Sequence, residues 1–298
     1  MPDENYAKNC HWVPQFYLRY FSPAPSAKPP RVYVTNKHEA YETGELKSKT
    51  ARIRDVAAVL HLYNAAAPNG RIDPALEESF KLVEKQAGEV WQRLSQGKPL
   101  NLLPGGDDRL IIAQFLAAQH LRVPRMIAVV ENAIRRGNPD VDMDEMDEAG
   151  LDRLHKEINA IDLRLGPEPL DMQARDPFRA MITANWTTVT KILYDMCWSI
   201  RAFDKPGLVT SDAPLYVINF ETMGPWLHGD PASLTYYPMT QRHLLLITGS
   251  RIGGPVDGSI SPGNASILPQ VNAMTLHFAS SEIYSPISMT GKFDVLRD

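Results

Sequence analysis

The feature that most limits the fold is an aromatic block near the start of the chain, from His11 to Phe21, with five aromatic side chains in eleven residues. A segment this apolar must pack into the body of the protein, because outside it would form an exposed apolar patch. Pro14 restricts Val13 to extended conformations, so His11 is predicted to lie on extended chain that leads into a short helical turn. His11 is then either a ligand, acid or base held by the block, or a histidine with a structural role.

Composition indicates an ordinary soluble globular protein and excludes several classes. Of the 298 residues, 44% are hydrophobic and 22% are charged, which is enough apolar material for a sizeable core. No apolar run approaches the roughly eighteen residues of a membrane span, and the first residues lack a signal-peptide pattern, so we expect a cytoplasmic protein without membrane contact. The net charge of −4 argues against non-specific nucleic-acid binding, and Cys10 and Cys197 are expected to be reduced thiols.

The order of helical and strand patterns predicts an α+β fold in a single domain of residues 1–298. We expect the anchor block and a strand at Arg31–Thr35 in 1–50, a mainly helical body of five or more helices in 51–205, and a small sheet with a final helix in 206–298. The sheet is expected to be mostly antiparallel and formed by N-terminal and C-terminal strands. The predicted helices cover 50–64, 74–96, 107–123, 125–136, 147–165, 176–205 and 268–281, and the predicted C-terminal strands cover 208–210, 215–220 and 244–248.

Two glutamates lie on the shoulder of the apolar stripe of the helix predicted at 74–96. Glu77 and Glu84 are seven residues apart, so they sit two turns from each other and are able to face a common cleft. The alternative is a solvent-facing shoulder in which Glu77 pairs with Lys81, four residues further on. Residue type and spacing leave both interpretations open.

Polar side chains also interrupt the helix predicted at 107–123, which is apolar nearly all round and is therefore expected to be buried. Gln119 and Arg122 share a face of it, and a buried guanidinium needs a carboxylate or an anionic ligand. We expect Arg122 to point inward and to pair with Glu84 or Asp212, or to bind a phosphate or carboxylate of a substrate. Asp212 lies at a predicted strand end, where it either serves a site or hydrogen-bonds its own turn.

These motifs resemble the bacterial family known as domain of unknown function 4238 over nearly the whole chain. The family pattern has an opening His-x-x-Pro-x-x-Tyr-Leu, a helix with two spaced glutamates, a Gln-x-x-Arg-x-Pro helix and a Ser-Asp-x-Pro strand end. The counterparts here run from His11 to Leu18, from Gln119 to Pro124 and from Ser211 to Pro214, beside Glu77 and Glu84. The sequence departs from the pattern at Val123, where threonine is expected, and at Ala213, where asparagine is expected. The resemblance supports the fold and the candidate site and implies no settled activity.

Carboxylates together with one imidazole suit a divalent metal that activates water, with an arginine placed to neutralise an oxyanion. We therefore predict a metal-assisted hydrolase that uses Mg²⁺ or Mn²⁺ on a phosphoester such as a nucleotide or nucleic acid, an activity that fits bacterial defence or toxin biology. The alternative is a non-enzymatic ligand-binding or sensor module whose polar cluster is structural. The predicted roles are metal binding for His11, Glu77, Glu84 and Asp212, catalysis for His11, Glu84 and Asp212, and substrate binding for Gln119 and Arg122.

Overall fold

The computed structural model of the chain describes residues 9–66, 72–123, 126, 176–219, 231–252 and 256–292. Six α-helices lie in this part of the chain: α1 (Gln15–Arg19), α2 (Lys37–Thr43), α3 (Ala75–Ser95), α4 (Asp107–Leu121), α5 (Asp176–Asp195) and α6 (Leu268–Phe278). The strands are β1 (Asn9–His11), β2 (Arg31–Asn36), β3 (Glu45–Arg52), β4 (Ala58–Leu60), β5 (Ala65–Ala66), β6 (Ile72–Asp73), β7 (Cys197–Ala202), β8 (Thr210–Ser211), β9 (Tyr216–Asn219), β10 (Ser233–Thr240), β11 (His243–Thr248), β12 (Ser259–Pro262), β13 (Glu282–Ser285) and β14 (Thr290–Lys292). The helices predicted at 125–136 and 147–165 lie outside the described residues, apart from Met126.

Two five-stranded sheets form most of the β structure. Their strand orders are β12-β7-β11-β10-β9 and β14-β3-β2-β13-β8. Neighbouring strands are antiparallel, except that β12 runs parallel to β7. Two short antiparallel pairs, β1-β4 and β5-β6, complete the set. The prediction of a mainly helical body with one small sheet of terminal strands is therefore wrong, because strands from within the chain build a five-stranded sheet of their own.

The helix predicted for 176–205 is wrong at its C-terminal end. It stops at Asp195, and Cys197–Ala202 forms β7 instead. β7 lies between β11 and β12, and Trp198, Ser199 and Ile200 are all buried. Hydrogen bonding to strands on both sides outweighs the helical spacing of apolar residues, which is ambiguous in a short apolar run.

The helix predicted for 50–64 does not form. β3 continues to Arg52, a 3-10 turn covers Ile53–Asp55, and β4 pairs with β1. Ala57 and His61 have φ angles of 50° and 54°. These lie in the left-handed region, which a right-handed helix does not contain.

The aromatic block is packed into the core, as the sequence predicts. The ring of Phe16 lies 6.1 Å from that of Trp91 in α3 and 5.5 Å from that of Phe115 in α4, measured between centroids. Tyr17 is fully buried, and its hydroxyl donates a hydrogen bond of 2.6 Å to the carbonyl oxygen of Pro238 in β10. The block therefore joins two helices to the β7-containing sheet and fixes the position of the strand that precedes it.

The helices α3 and α4 agree closely with the predictions for 74–96 and 107–123. α3 buries a stripe of Phe80, Ala87, Val90, Trp91 and Leu94. α4 buries residues all around its axis, which leaves little contact with water. None of the described helices is long and apolar enough to cross a membrane.

Candidate functional site

A group of polar side chains meets where the end of α4 faces the first half of α3. We call it the Arg122 cluster and define it as Cys10, His11, Tyr63, Glu77, Glu84, Gln119 and Arg122. The Arg122 guanidinium is 1% exposed, and its Nη1 donates to Glu84 Oε1 at 2.7 Å. It also lies 4.9 Å above the ring of Phe80. The prediction that Arg122 points inward and pairs with Glu84 is confirmed.

Glu77 is the second carboxylate of the cluster, two turns before Glu84 on α3. Burial raises the pKa of Glu77, the negative charge of Glu84 raises it further, and Arg122 acts in the opposite direction. Among the described residues, no cation lies within ion-pair distance of Glu77. The Arg122 cluster thus has one arginine for two carboxylates. Glu77 therefore holds a proton more tightly than an ordinary glutamate does.

The Cys10 thiol belongs to the same group. Cys10 lies on β1, is fully buried and hydrogen-bonds to Glu77. Burial is the main cause that raises the pKa of Cys10 to about 11. At neutral pH it is therefore a thiol, which is a poor nucleophile.

Three buried polar atoms near the cluster have no hydrogen-bond partner among the described residues. They are Tyr63 Oη, Arg122 Nε and Trp12 Nε1. Tyr63 contacts the same ring as Arg122 does, with its centroid 4.8 Å from that of Phe80. Burial raises the pKa of Tyr63 well above its usual range, so its hydroxyl keeps its proton. Two of the three atoms can only donate, and buried donors are normally satisfied, so the arrangement suits a ligand that brings acceptor oxygens.

A second buried arginine, Arg109, has the full set of hydrogen bonds expected of a structural guanidinium and can be compared with Arg122. Arg109 is also 1% exposed, and it donates from Nε to the Tyr194 carbonyl at 2.9 Å, from Nη1 to the Leu102 carbonyl at 3.0 Å and to Asp257, and from Nη2 to the Met196 carbonyl. All three nitrogens of Arg109 have partners. Arg122 differs because its Nε has none in the described part of the chain.

His11 and Gln119 lie at the edge of the cluster. His11 Nε2 is 3.2 Å from the carbonyl oxygen of Arg54. Burial is the main cause that lowers the pKa of His11, and the charge of Arg122 lowers it further, so the imidazole is neutral at pH 7. Gln119 accepts from Arg122 Nη2 at 3.4 Å and donates from Nε2 to the carbonyl of Trp12 at 2.7 Å. It therefore ties the aromatic block to α4 as well as to the arginine.

Asp212 is held by a different set of partners. Its carboxylate is fully buried and accepts from the backbone N–H groups of Ser280, Ser281 and Glu282 at 2.8, 2.8 and 3.1 Å, and from the Ser281 hydroxyl at 2.9 Å. Three of these hydrogen bonds end on Oδ2 and one ends on Oδ1. Asp212 thus ties the end of β8 to the start of β13, and none of these partners belongs to the Arg122 cluster.

The predicted metal ligands His11, Glu77, Glu84 and Asp212 are not brought together as a protein cage. Within the described ranges, no three side chains of His, Cys, Asp or Glu are grouped so that they could hold a metal ion. Mg²⁺ is often bound by one or two carboxylates together with substrate phosphates. Glu77 and Glu84 supply two carboxylates to the Arg122 cluster.

Sequence reasoning missed Tyr63 and Cys10. Tyr63 lies within the helix predicted for 50–64, which does not form, so the predicted pattern did not mark it. Cys10 comes directly before His11, which is predicted to lie on extended chain. Adjacent side chains of an extended segment point to opposite sides, so a neighbour of His11 such as Cys10 could have been expected in the core.

Comparison with known proteins identifies the family. The chain matches the model of the family described as "Protein of unknown function (DUF4238)" over residues 9–288. No curated protein and no solved structure matches it.

Proposed function

The chain belongs to the DUF4238 family, whose description names no activity, and from the geometry of the Arg122 cluster we propose that the protein binds the phosphate of a small phosphoester together with a divalent cation, Mg²⁺ or Mn²⁺, and hydrolyses it. The proposed location is the cytoplasm, as expected from the sequence.

One observation carries the proposal: the cluster has both spare donors and spare negative charge. Arg122 Nε and Tyr63 Oη have no partner among the described residues, and Glu77 shares one arginine with Glu84. Donors need an acceptor oxygen, whereas paired carboxylates need a cation. A phosphate alone would be repelled by the carboxylates, and a cation alone would leave the donors unsatisfied. A cation bound to phosphate supplies both.

Each residue then has a role that follows from its surroundings. Arg122 and Tyr63 donate to phosphoryl oxygens, on which negative charge builds up during hydrolysis. A water oxygen attacks phosphorus, the bond to the ester oxygen breaks, and the proton that the water gives up passes to the leaving oxygen. Glu84 orients Arg122, and Glu84 and Glu77 would hold the cation, which when bound would supply positive charge that favours ionisation of water.

A specific observation favours a second candidate, a binding module without turnover. The cluster contains no activated protein nucleophile, since Cys10 stays a thiol and His11 is neutral and occupied by the Arg54 carbonyl. The same donors and carboxylates then hold a cation and a phosphate and cleave nothing. Binding and turnover are separable by experiment.

Thermal melts of the chelated protein test the binding step. We expect little stabilisation by Mg²⁺ alone or by inorganic phosphate alone, and a joint stabilisation of about 2.7 kcal/mol at one hundred times the dissociation constant. For a chain of this length that is a rise in melting temperature of about 4 °C. The absence of any joint effect with either Mg²⁺ or Mn²⁺ would refute both candidates.

Matched variants and a turnover assay complete the test. Glu77→Gln should abolish the joint effect, while Glu78→Gln, which changes an exposed neighbour paired with Lys81, should leave it intact. Release of p-nitrophenol from mono- and bis-(p-nitrophenyl) phosphate then separates the candidates. Joint stabilisation without release over hours identifies the binding module.

A further inference from the structure

A cavity of about 450 Å³ lies between the first turns of α3 and α5. Its volume is within the usual range for small-molecule sites. Its wall includes Tyr63, whose buried hydroxyl has no partner among the described residues. An opening of this size with several polar side chains in its wall points to a ligand.

Most of the polar side chains that line the cavity can accept hydrogen bonds. Ser79 and Thr183 each donate the hydroxyl hydrogen to the carbonyl four residues earlier in their own helix, both at 2.9 Å, so their oxygen lone pairs remain. Asp73 and Asp176 add carboxylate oxygens, and the single cation in the described wall, Arg179, pairs with Asp176. A ligand must therefore bring hydrogen-bond donors, and an anion is disfavoured by two carboxylates against one guanidinium.

The apolar part of the wall includes aromatic side chains beside alanine and leucine side chains. Trp186 and Tyr63 both line the cavity, and Trp186 Nε1 is already used by the carbonyl of Gln114 at 2.9 Å. The indole therefore offers its ring and no polar atom. An indole ring with acceptors around it suits a ring compound that has a C–H face and several hydroxyl groups.

We propose that this cavity binds a hydroxyl-bearing ring, a sugar or the ribose of a nucleoside. Joined to the proposed function, on which this second step rests, it makes the substrate class a phosphorylated sugar or nucleoside. Tyr63 links the cavity to the Arg122 cluster, because it lines the cavity and the charges of Arg122, Glu77 and Glu84 act on its hydroxyl.

Saturation-transfer NMR with uncharged probes tests the cavity alone, without a cation or phosphate. We expect ring protons of ribose, glucose or adenosine to show transfer from the wild-type protein. Transfer to ribose or glucose indicates that the cavity binds a sugar. Transfer to adenosine alone indicates that it binds a nucleoside. No transfer from any of the three at millimolar concentration overturns the proposal.

Variants locate the binding. Thr183→Val removes an acceptor from the wall and should weaken binding about five-fold, roughly the worth of one hydrogen bond. Thr188→Val is the matched control, since Thr188 is an exposed threonine of the same helix outside the cavity, and it should not change the affinity. Equal effects of the two variants would show that the ring binds elsewhere.

The link to the proposed function has its own readout. Ribose 5-phosphate with Mg²⁺ should bind at least ten-fold more tightly than ribose, and Glu77→Gln should remove that gain and leave ribose binding unchanged. Ribose binding without the gain refutes the proposed function and keeps the cavity. A gain that inorganic phosphate reproduces in full, with no contribution from the ring, refutes the cavity and keeps the proposed function.

Discussion

Replacing Asp212 by asparagine separates a structural aspartate from a catalytic one. The substitution keeps the shape of the side chain and removes one acceptor oxygen and the charge. The structure places Asp212 in a set of four hydrogen bonds to Ser280, Ser281 and Glu282. We therefore expect Asp212→Asn to destabilise the protein and to leave its response to Mg²⁺ and phosphate unchanged.

The magnitude follows from the hydrogen bonds. Three of them end on Oδ2 and one on Oδ1, so an asparagine that keeps the first three turns its amide group toward the Ser280 N–H. That buried N–H loses its acceptor, at about 1–3 kcal/mol, and the other three bonds become neutral, each weaker by about 1 kcal/mol. Removal of a buried charge offsets part of this. The net loss is about 3 kcal/mol, or roughly 5 °C in melting temperature for this chain length.

Urea unfolding and thermal melts measure the loss, with Asp204→Asn, an exposed aspartate, as the control. The melts are then repeated with Mg²⁺ and phosphate. A variant with wild-type stability and no response to Mg²⁺ and phosphate would show that Asp212 belongs to the ligand site and that the hydrogen-bond reasoning is wrong.

Two further predictions concern other buried charges. Arg109→Lys keeps the charge opposite Asp257, but a lysine cannot reach the carbonyls of Leu102, Tyr194 and Met196 together. Urea unfolding should therefore show a loss of about 3 kcal/mol in the free energy of unfolding. A loss below about 1 kcal/mol would contradict the structural role. Burial, together with the charge of Asp212, raises the pKa of Glu282. The folded protein therefore binds the proton of the Glu282 carboxyl more tightly than the unfolded chain does, and stability falls as pH rises above about 4.5. Glu282→Gln should therefore gain stability relative to wild type between pH 4 and pH 7, and a constant difference across that range would contradict this.

Local patterns predicted α3, α4 and β2 well. Asp73-Pro74 and the apolar stripe after it define α3, the apolar run from 107 defines α4, and alternation defines β2. In each case the signal lies within a few residues of the element. The pairing of Arg122 with Glu84 was also accessible, because burial of a guanidinium demands a carboxylate.

Long-range pairing explains what local patterns could not give. β7 has helical spacing of apolar residues and becomes a strand because β11 and β12 flank it. Asp212 was expected either in a site or in its own turn, and its partners lie about seventy residues further along the chain. Tyr63 has no periodic neighbours, and contact with Phe80 places it beside Arg122. Each outcome depends on which distant segment packs against the residue. The spacing of residues along the chain does not contain that information.

The aromatic block explains why the Arg122 cluster forms at all. The block begins at His11, which follows Cys10 on β1, and β1 pairs with β4, the strand that comes shortly before Tyr63. Gln119 then bonds the carbonyl of Trp12 and at the same time accepts from Arg122, so the position of the guanidinium depends on the position of the block. Because Tyr17 fixes that block to β10, a change in its packing would shift the Cys10 thiol against Glu77 and alter the proton affinity of the carboxylate. The segment that anchors the fold therefore also sets the chemistry of the site.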